Sequence, residues 1–500
     1  MTAATQPQHH PLYTARQVRE LDRRTVAADI AGFALMQRAA ASAWRCLGER
    51  WPRARSLSVL CGGGNNGGDG YVIAALAAQA GLQVQCLALK PIAELTGDVA
   101  RAAALAAAAG VDGKAWEDDT RLTGEVIVDA LLGTGLSGEV TGAYRQAIAT
   151  VNRAGRPVLA VDIPSGLAAD TGARLGCAVR ADATITFIGD KLGLHTGRAP
   201  EHTGEVTFCP LGVDAEAFDD IAPRGVLLHK SALSGAFGPR RRTAHKGDMG
   251  HLLVLGGAPG MGGAALIATQ AAARLGAGKV SLATAPEHVS ASLIRCPEVM
   301  ACGVRGSADV AERVEQSDVI VAGPGIGCGA WGQAMLAAAL ESGRPLVLDA
   351  DALNLLAERF TGERRDSWVL TPHPGEAGRL LGITAAEVEA DRPAAALALR
   401  ERYGGCAVLK GAGTLVAGPQ GLAVCPYGNP GMASGGMGDA LAGMLGSLAG
   451  QRGLSEQTVR LGVLVHALAA DAAAAEHGER GLLAGDLASC ARRLVNPGFE

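Results

Sequence analysis

Aromatic residues are scarce in this chain, at 3% of 500 residues. Glycine numbers 70. That imbalance suits alanine-rich helices packed on glycine-punctuated strands. Basic charge in excess is also missing: the formal net charge is −4 and the pI is near 6.3, which argues against a nucleic-acid partner. No CxxC pair occurs among the cysteines (Cys46, Cys61, Cys86, Cys177, Cys209, Cys296, Cys302, Cys328, Cys406, Cys425, Cys490). Several lie in apolar strands, so buried free thiols are expected rather than disulfides or zinc. The N-terminal stretch MTAATQPQHHPLYTARQ lacks a basic-then-apolar signal pattern. The longest apolar run, Leu461 to Ala475, is broken by His466 and Asp471 and falls short of a membrane span. A cytoplasmic protein with no membrane partner is expected.

Hydrophobic residues at 48% and charged ones at 19% describe a well-packed globular chain. Its length implies more than one core, since domains run to about 100–200 residues. The most informative stretch is GNPGMASGGMGDALAGM, Gly428 to Met444. Gly435, Gly436 and Gly438 precede Asp439, and an apolar helix follows. A helix N-terminus offers unpaired N–H groups to an anion, and glycine lets the anion come close. Asp439 would repel phosphate there, which fits a general base aimed at a substrate hydroxyl beside the phosphoryl group. The alternative is a tight turn with an N-capping aspartate.

Upstream, strand Ser56 to Cys61 runs into GGGNNGGDG, then a helix over Tyr71 to Ala80 and a strand over Gln83 to Leu89. This is a Rossmann-type unit. Gly62, Gly64 and Gly67 match GxGxxG, but no acid follows about 20 residues on to hold a ribose. Asn65, Asn66 and Asp69 instead supply side-chain oxygens, as for a ligand with several polar edges and a bound cation. Later strands end in acids: Asp129 in EVIVDALLGTGLSGE, and Asp162 in PVLAVDIPSG with Ser165 after it. Strand Ala183 to Phe187 places Lys191 at the same rim. Ligands in such sheets bind beyond the carboxyl ends of the strands, so these residues should face one crevice. Each Asp could instead cap the next helix.

GGGNNGGDG, DALLGTGLSGE and VDIPSG together resemble the NAD(P)HX epimerase domain, also called the YjeF N-terminal domain, over residues 13–213. The resemblance implies substrate contacts at Asn65, Asn66, Gly67, Gly68 and Asp69. It also implies contacts at Gly133, Thr134, Gly135, Leu136, Ser137, Gly138 and Glu139, and at Asp162. It further implies potassium held by Asn66, Asp129 and Ser165. These three offer only oxygen and a single carboxylate, which suits a monovalent ion better than calcium. Asp162 is the candidate acid–base residue at the epimerising carbon, with Lys191 a weaker one.

Leu211 to His245 reads as a connector, with Arg240-Arg241-Arg242 as a solvated basic run. A second α/β unit then starts at strand His251 to Leu255, with a helix from about Ala264. GAGKVS lacks the Walker spacing. The strands before GPGIG (Gly323 to Gly327), Asp349 and Asp351, TPHPGE (Thr371, His373, Glu376) and LKGAGT (Lys410 to Thr414) all end in informative residues. His373 precedes an acid able to order a magnesium-bound water, and Lys410 suits a nucleotide phosphate or ribose.

With HKGD, DADALN and the GxGD loop, these motifs resemble the ribokinase-like superfamily and, within it, the ADP-dependent NAD(P)HX dehydratase, over residues 226–497. The resemblance implies nucleotide binding at Lys410, Gly411, Ala412, Gly413, Thr414 and Gly438. It implies hydrate binding at Ala264, Gly325, His373 and Asp439, with Asp439 also catalytic. The expected fold is thus α/β, a Rossmann-like three-layer domain followed by a ribokinase-like one. The expected function is repair of NADHX and NADPHX: epimerisation, then dehydration of the S form at the expense of ADP, with potassium in the first site and magnesium in the second. A homo-oligomer is expected. Two rivals stand: a vitamin-precursor kinase of the same superfamily, and a first domain that only binds.

Overall fold

The computed structural model describes residues 9–28 and 30–496; Pro497, the last residue of the expected second domain, lies outside the described residues. The chain divides into two compact units, Pro11–Gly225 and one built from Val226 onward that also takes in His9 and His10.

The first unit contains the Pro11–Tyr13 part of strand β1 (His9–Tyr13) and strands β2 (Ser56–Cys61), β3 (Gln83–Ala88), β4 (Gly113–Ala115), β5 (Val126–Ala130), β6 (Val158–Val161), β7 (Ala183–Phe187), β8 (Asp190–Lys191) and β9 (Glu205–Cys209). Its helices are α1 (Ala15–Ala27), α2 (Gly32–Arg50), α3 (Asn65–Gln79), α4 (Gly97–Ala108) and α5 (Gly142–Arg153). Seven strands make one sheet in the order β4-β3-β2-β5-β6-β7-β9, paired parallel throughout. Their apolar runs are continuous because helices cover both faces; Val126, Ile127 and Val128 of β5 are at most 2% exposed. The strand order reverses between β2 and β5, which opens a crevice at their carboxyl ends.

One expectation is corrected at that crevice. The run NNGGDG, read as loop before a helix at Tyr71, is itself the first two turns of α3. Turn chemistry misleads there because the glycines serve close packing. A Cβ on Gly67 would lie 2.0 Å from the Gly62 carbonyl oxygen, and one on Gly68 would lie 2.4 Å from Met36 Cε. The helix accepts the propensity cost of glycine, about 1 kcal/mol each, to press its first turns into the sheet and α2.

The second unit contains β10 (Gly225–Leu228), β11 (His251–Leu255), β12 (Lys279–Thr284), β13 (Met300–Gly303), β14 (Val319–Ala322), β15 (Leu346–Leu348), β16 (Trp368–Leu370), β17 (Cys406–Leu409), β18 (Thr414–Gly418) and β19 (Gly421–Cys425). Its helices are α6 (Gly262–Arg274), α7 (Val289–Arg295), α8 (Ala311–Gln316), α9 (Ala330–Glu341), α10 (Asp351–Glu358), α11 (Pro374–Leu381), α12 (Ala385–Ala390), α13 (Arg392–Tyr403), α14 (Met437–Arg452), α15 (Glu456–His477) and α16 (Leu487–Leu494). The order β13-β12-β11-β14-β15-β16-β17 is parallel, and β18 and β19 extend it antiparallel. Here the order reverses between β11 and β14. α6 and α14 meet so closely that a Cβ on Gly443 would sit 2.0 Å from the Ala268 carbonyl oxygen.

α15 is long and apolar enough to cross a membrane by length and composition, and 72% of that stretch is buried within the fold. The expected connector is more ordered than a linker. Its apolar Val226-Leu227-Leu228 forms β10, and Leu228, Ala232 and Leu233 join the core of the second unit. The eleven cysteines are free.

Candidate active sites

In the first unit the crevice between β2 and β5 opens into a cavity of about 720 Å³. Asn65, Asn66, Asp69, Asp162 and Lys191 line it, as do Gly133 to Ser137 of the loop after β5. Gly67 and Gly68 are buried in packing instead, and Gly138 and Glu139 are exposed beyond the lining. Asp162 follows β6 with a φ of +66°, a strained conformation for a residue with a side chain. Its Oδ1 takes donors only: Lys191 Nζ, the Phe187 amide at 3.3 Å and the Thr186 hydroxyl at 3.3 Å. Lys191 is fully buried and also donates to Thr186 Oγ1 at 2.9 Å and to the Phe187 carbonyl at 3.0 Å. The register of β1 against β8, with Tyr13 opposite Lys191, fixes where that side chain begins. Burial pushes the Asp69 carboxyl well above the usual range, and Asp162 and Asp22 add to the rise against Lys191.

Asn66, Asp129 and Ser165 converge just beneath the cavity, around the Leu132 backbone. Asn66 Nδ2 donates to the Leu132 carbonyl at 3.1 Å, and the Leu132 amide donates to Ser165 Oγ at 2.9 Å. Ser165 donates to Asp129 twice, from Oγ at 2.6 Å and from its amide at 2.8 Å. Asp129 is wholly buried, and burial pushes its carboxyl up to about 6 despite those bonds. Asn66 Oδ1 is buried with no hydrogen-bond partner. Asn66 Oδ1 is thus left open to a ligand, on the same Leu132 segment that Ser165 holds.

In the second unit the strand ends bring together Asp349, Glu376, Lys410 and Asp439. Lys410 Nζ lies 2.6 Å from Asp349 Oδ1 and 3.8 Å from Glu376 Oε2. Asp349 also accepts from Thr371 Oγ1 at 2.8 Å. Burial disfavours the Lys410 ammonium, but Asp349 and Glu376 outweigh it and raise its pKa. Burial first, then Asp349 and Glu376, push Asp439 up to about 7, with Lys410 opposing. Ala350 beside Asp349 carries a φ of +49°, a second strained residue at a strand end.

Asp439 sits in the first turn of α14, whose N-cap is Gly436 at φ +92°. No side chain caps that helix, so Asp439 is not the N-cap and the first amides stay free for an anion. A Cβ on Gly438 would lie 3.0 Å from Lys410 Nζ, which puts the loop directly against the cluster. His466, pushed down to about 4 by burial, faces the Met437 carbonyl through Nε2 at 3.0 Å and steadies the loop as a neutral ring.

His373 caps α11: its Nδ1 accepts from the Gly375 amide at 3.0 Å, and its own amide donates to Glu376 Oε2 at 2.8 Å. Gly325 packs near Ala264, at 3.3 Å from an added Cβ. Gly411 and Ala412 are exposed, Gly413 is buried, and Thr414 Oγ1 donates to the Gly411 carbonyl at 2.8 Å. Lys410 thus joins this turn to the carboxylates. Asp349 was visible in sequence as a strand-end acid without an assigned role, and Glu376 as the acid able to order a magnesium-bound water. Asp22 of α1, which also lines the first cavity, carried no sequence signal at all beyond one polar position on an amphipathic helix.

A family model described as YjeF-related protein N-terminus matches residues 32–193, and one described as NAD(P)H-hydrate dehydratase matches residues 252–493. The bifunctional NAD(P)H-hydrate repair enzyme of Coxiella burnetii is 47% identical over 97% of this chain and 99% of the relative. That of Escherichia coli is 43% identical over 98% of this chain and 94% of the relative. Among solved structures, a ribokinase-like superfamily protein of Enterococcus faecalis matches at 28% identity and a TM-score of 0.51, covering 54% of this chain and 94% of its own. With a Rossmann-like sheet before a ribokinase-like one, the chain belongs to the family of bifunctional NAD(P)H-hydrate repair enzymes.

Proposed function

We propose that the first unit interconverts the R and S hydrates of NADH and NADPH, and that the second returns the S hydrate to NAD(P)H while converting ADP to AMP and phosphate. The observation that carries the reading is Asp439, a carboxyl pushed up to about 7 in the first turn of an uncapped helix. Water added to the dihydronicotinamide ring leaves a hydroxyl on the carbon next to nitrogen, and hydroxide departs poorly. Asp439 takes the hydroxyl proton, the oxygen attacks the terminal phosphoryl group, and the α14 amides receive its charge. Phosphate then leaves with help from the nitrogen lone pair as the adjacent carbon loses a proton.

Among the described residues no group of three or more His, Cys, Asp or Glu is arranged for a metal. That fits magnesium arriving on the nucleotide, since this ion usually binds through phosphates and one or two carboxylates. Glu376 is the carboxylate that would meet it, and the ion would supply charge neutralisation on the phosphates. Asn66, Asp129 and Ser165 would hold potassium, which would fix the start of α3 beside Asp162.

Incubation with pure S hydrate and either ADP or ATP tests the dehydratase by the return of reduced-cofactor absorbance. A stable phosphorylated product would favour a vitamin-precursor kinase instead. Pure R hydrate, consumed only after conversion to S, tests the epimerase.

A further inference from the structure

Helix α1 lies outside the stretch that the N-terminal family model matches, which begins at residue 32. It nevertheless walls the first cavity. Val18, Arg19, Asp22 and Val26 line it, and 18, 22 and 26 fall at the i, i+4, i+8 spacing of one helix face. Thr14 starts the helix with a capping box to Gln17. Arg19 ties it to the loop after β5 by donating to the Thr134 carbonyl at 3.2 Å. Among the described residues the Asp22 side chain makes no hydrogen bond and no ion pair, so its carboxyl is free to act on whatever fills the cavity. Asp69, nine-tenths buried and likewise without a partner, lines the same space. The groups acting on Asp22 are Lys191, Asp162, Arg19 and Asp69.

Resting on the epimerase reading, we propose that Asp22 is a second proton-transfer residue of that site, sharing one proton with Asp162 across the substrate. Inversion at a carbon bearing both hydroxyl and nitrogen needs one group leaving and one arriving. With the proton on Asp22, the substrate hydroxyl takes it, the C–O bond breaks and water leaves. The nitrogen lone pair forms the C=N bond of an iminium ion. A solvent water then attacks the other face, the C=N electrons return to nitrogen, and the water's proton passes to Asp162. The opposite epimer uses the enzyme with its proton on Asp162, and the steps run in reverse. Asp162 enters as a carboxylate whose Oδ1 is held by Lys191, Thr186 and the Phe187 amide, which leaves Oδ2 as the oxygen that takes the proton. Burial raises the Asp22 carboxyl to about 6, so both its forms are populated near neutrality.

The test uses the full chain and R hydrate, with S formation followed by separation of the epimers. Asp22→Asn is nearly isosteric, and its epimerisation should fall about 10²-fold or more in both directions, the usual scale for a general acid–base group. Asp22→Glu should regain part of that rate with a displaced pH profile, which a merely structural aspartate would not show. In ¹⁸O-water the wild-type product should carry one labelled oxygen per inversion. ADP-dependent phosphate release from S hydrate serves as the folding control. An Asp22→Asn rate near wild type, a flat unchanged pH profile in both variants, or retention of the original oxygen overturns the proposal. A wild-type protein that does not epimerise at all would overturn the epimerase reading itself.

Discussion

Replacing Lys410 by methionine separates two roles open to that side chain. A nucleotide ligand lost from the turn would raise KM for ADP and leave the catalytic pH profile in place. The structure puts the ammonium between Asp349 and Glu376, where it opposes the burial, Asp349 and Glu376 that push Asp439 up to about 7. A general base works deprotonated, so the dehydration rate should rise with pH to a midpoint near that value and level off above it. Without the ammonium the midpoint moves upward. Each unit removes about tenfold of active base at pH values below it, or about 1.4 kcal/mol. Stability falls as well. The Asp349 side chain is 2% exposed, and removing one partner of a buried pair costs about 3–5 kcal/mol. For a unit of this size that is roughly 6–20 °C in melting temperature, at about 2–4 °C per kcal/mol. The assays are kcat and KM profiles between pH 5.5 and 9 (a range of about 3.5 units spanning the expected titration) and melting curves over the same buffers. A raised KM for ADP with the kcat midpoint unmoved and melting unchanged would refute the argument.

Asp439→Asn should cut dehydration of S hydrate by about 10²–10⁴-fold and leave conversion of R to S intact; loss of both in a folded protein would contradict two separate sites. Gly436→Ala forces a side chain to φ +92° and sets its Cβ 2.7 Å from Ile267 Cδ1. The backbone alone costs about 1–2 kcal/mol, so melting temperature and ADP affinity should both drop, and an unchanged melt would mean the loop relaxes freely. Asp129→Ala should impair epimerisation and abolish its potassium dependence while ADP-dependent dehydration persists. Anomalous scattering that finds no ion among Asn66, Asp129 and Ser165 in potassium-grown crystals would count against the cation.

Strands were legible in the sequence wherever a short apolar run met a glycine or acid. Ser56 to Cys61 and His251 to Leu255 coincide with β2 and β11, and the strand expected before TPHPGE is β16. Buried parallel strands advertise themselves because every side chain along them is apolar. The start of α3 was hidden because glycine and asparagine read as turn formers, and only the distances to Gly62 and Met36 reveal why a helix would carry them. The ordered part of the connector was hidden by its prolines and arginines, although Leu228 belongs to the core. Partners are harder still to read. Lys410 and Asp349 are 61 positions apart, and they meet only because β15 and β17 end at the same edge of the sheet on either side of β16. Asp22 lies on a helix whose polar positions all look solvated until a cavity is found beside one face.

The two units repeat one electrostatic arrangement with different residues. In each, a lysine at the carboxyl edge of the sheet bonds one aspartate, Lys191 with Asp162 and Lys410 with Asp349. In each, another carboxyl nearby has no such partner, and burial drives it toward neutrality: Asp22 to about 6 and Asp439 to about 7. An ammonium among several buried carboxyls cannot serve them all equally, because its field falls with distance and its protons go to the nearest oxygens. The pairing therefore sorts the acids. The bonded aspartate is held in place by its lysine, while the unbonded one titrates near physiological pH. Strain marks the anchored side of both sites, at Asp162 itself and at Ala350 next to Asp349. Such backbone persists only where the surroundings overdetermine it. In both units the surroundings include the lysine bonded to that strand end, fully buried at Lys191 and one-fifth exposed at Lys410, so the charge that tunes the free carboxyl also bonds the strained strand end.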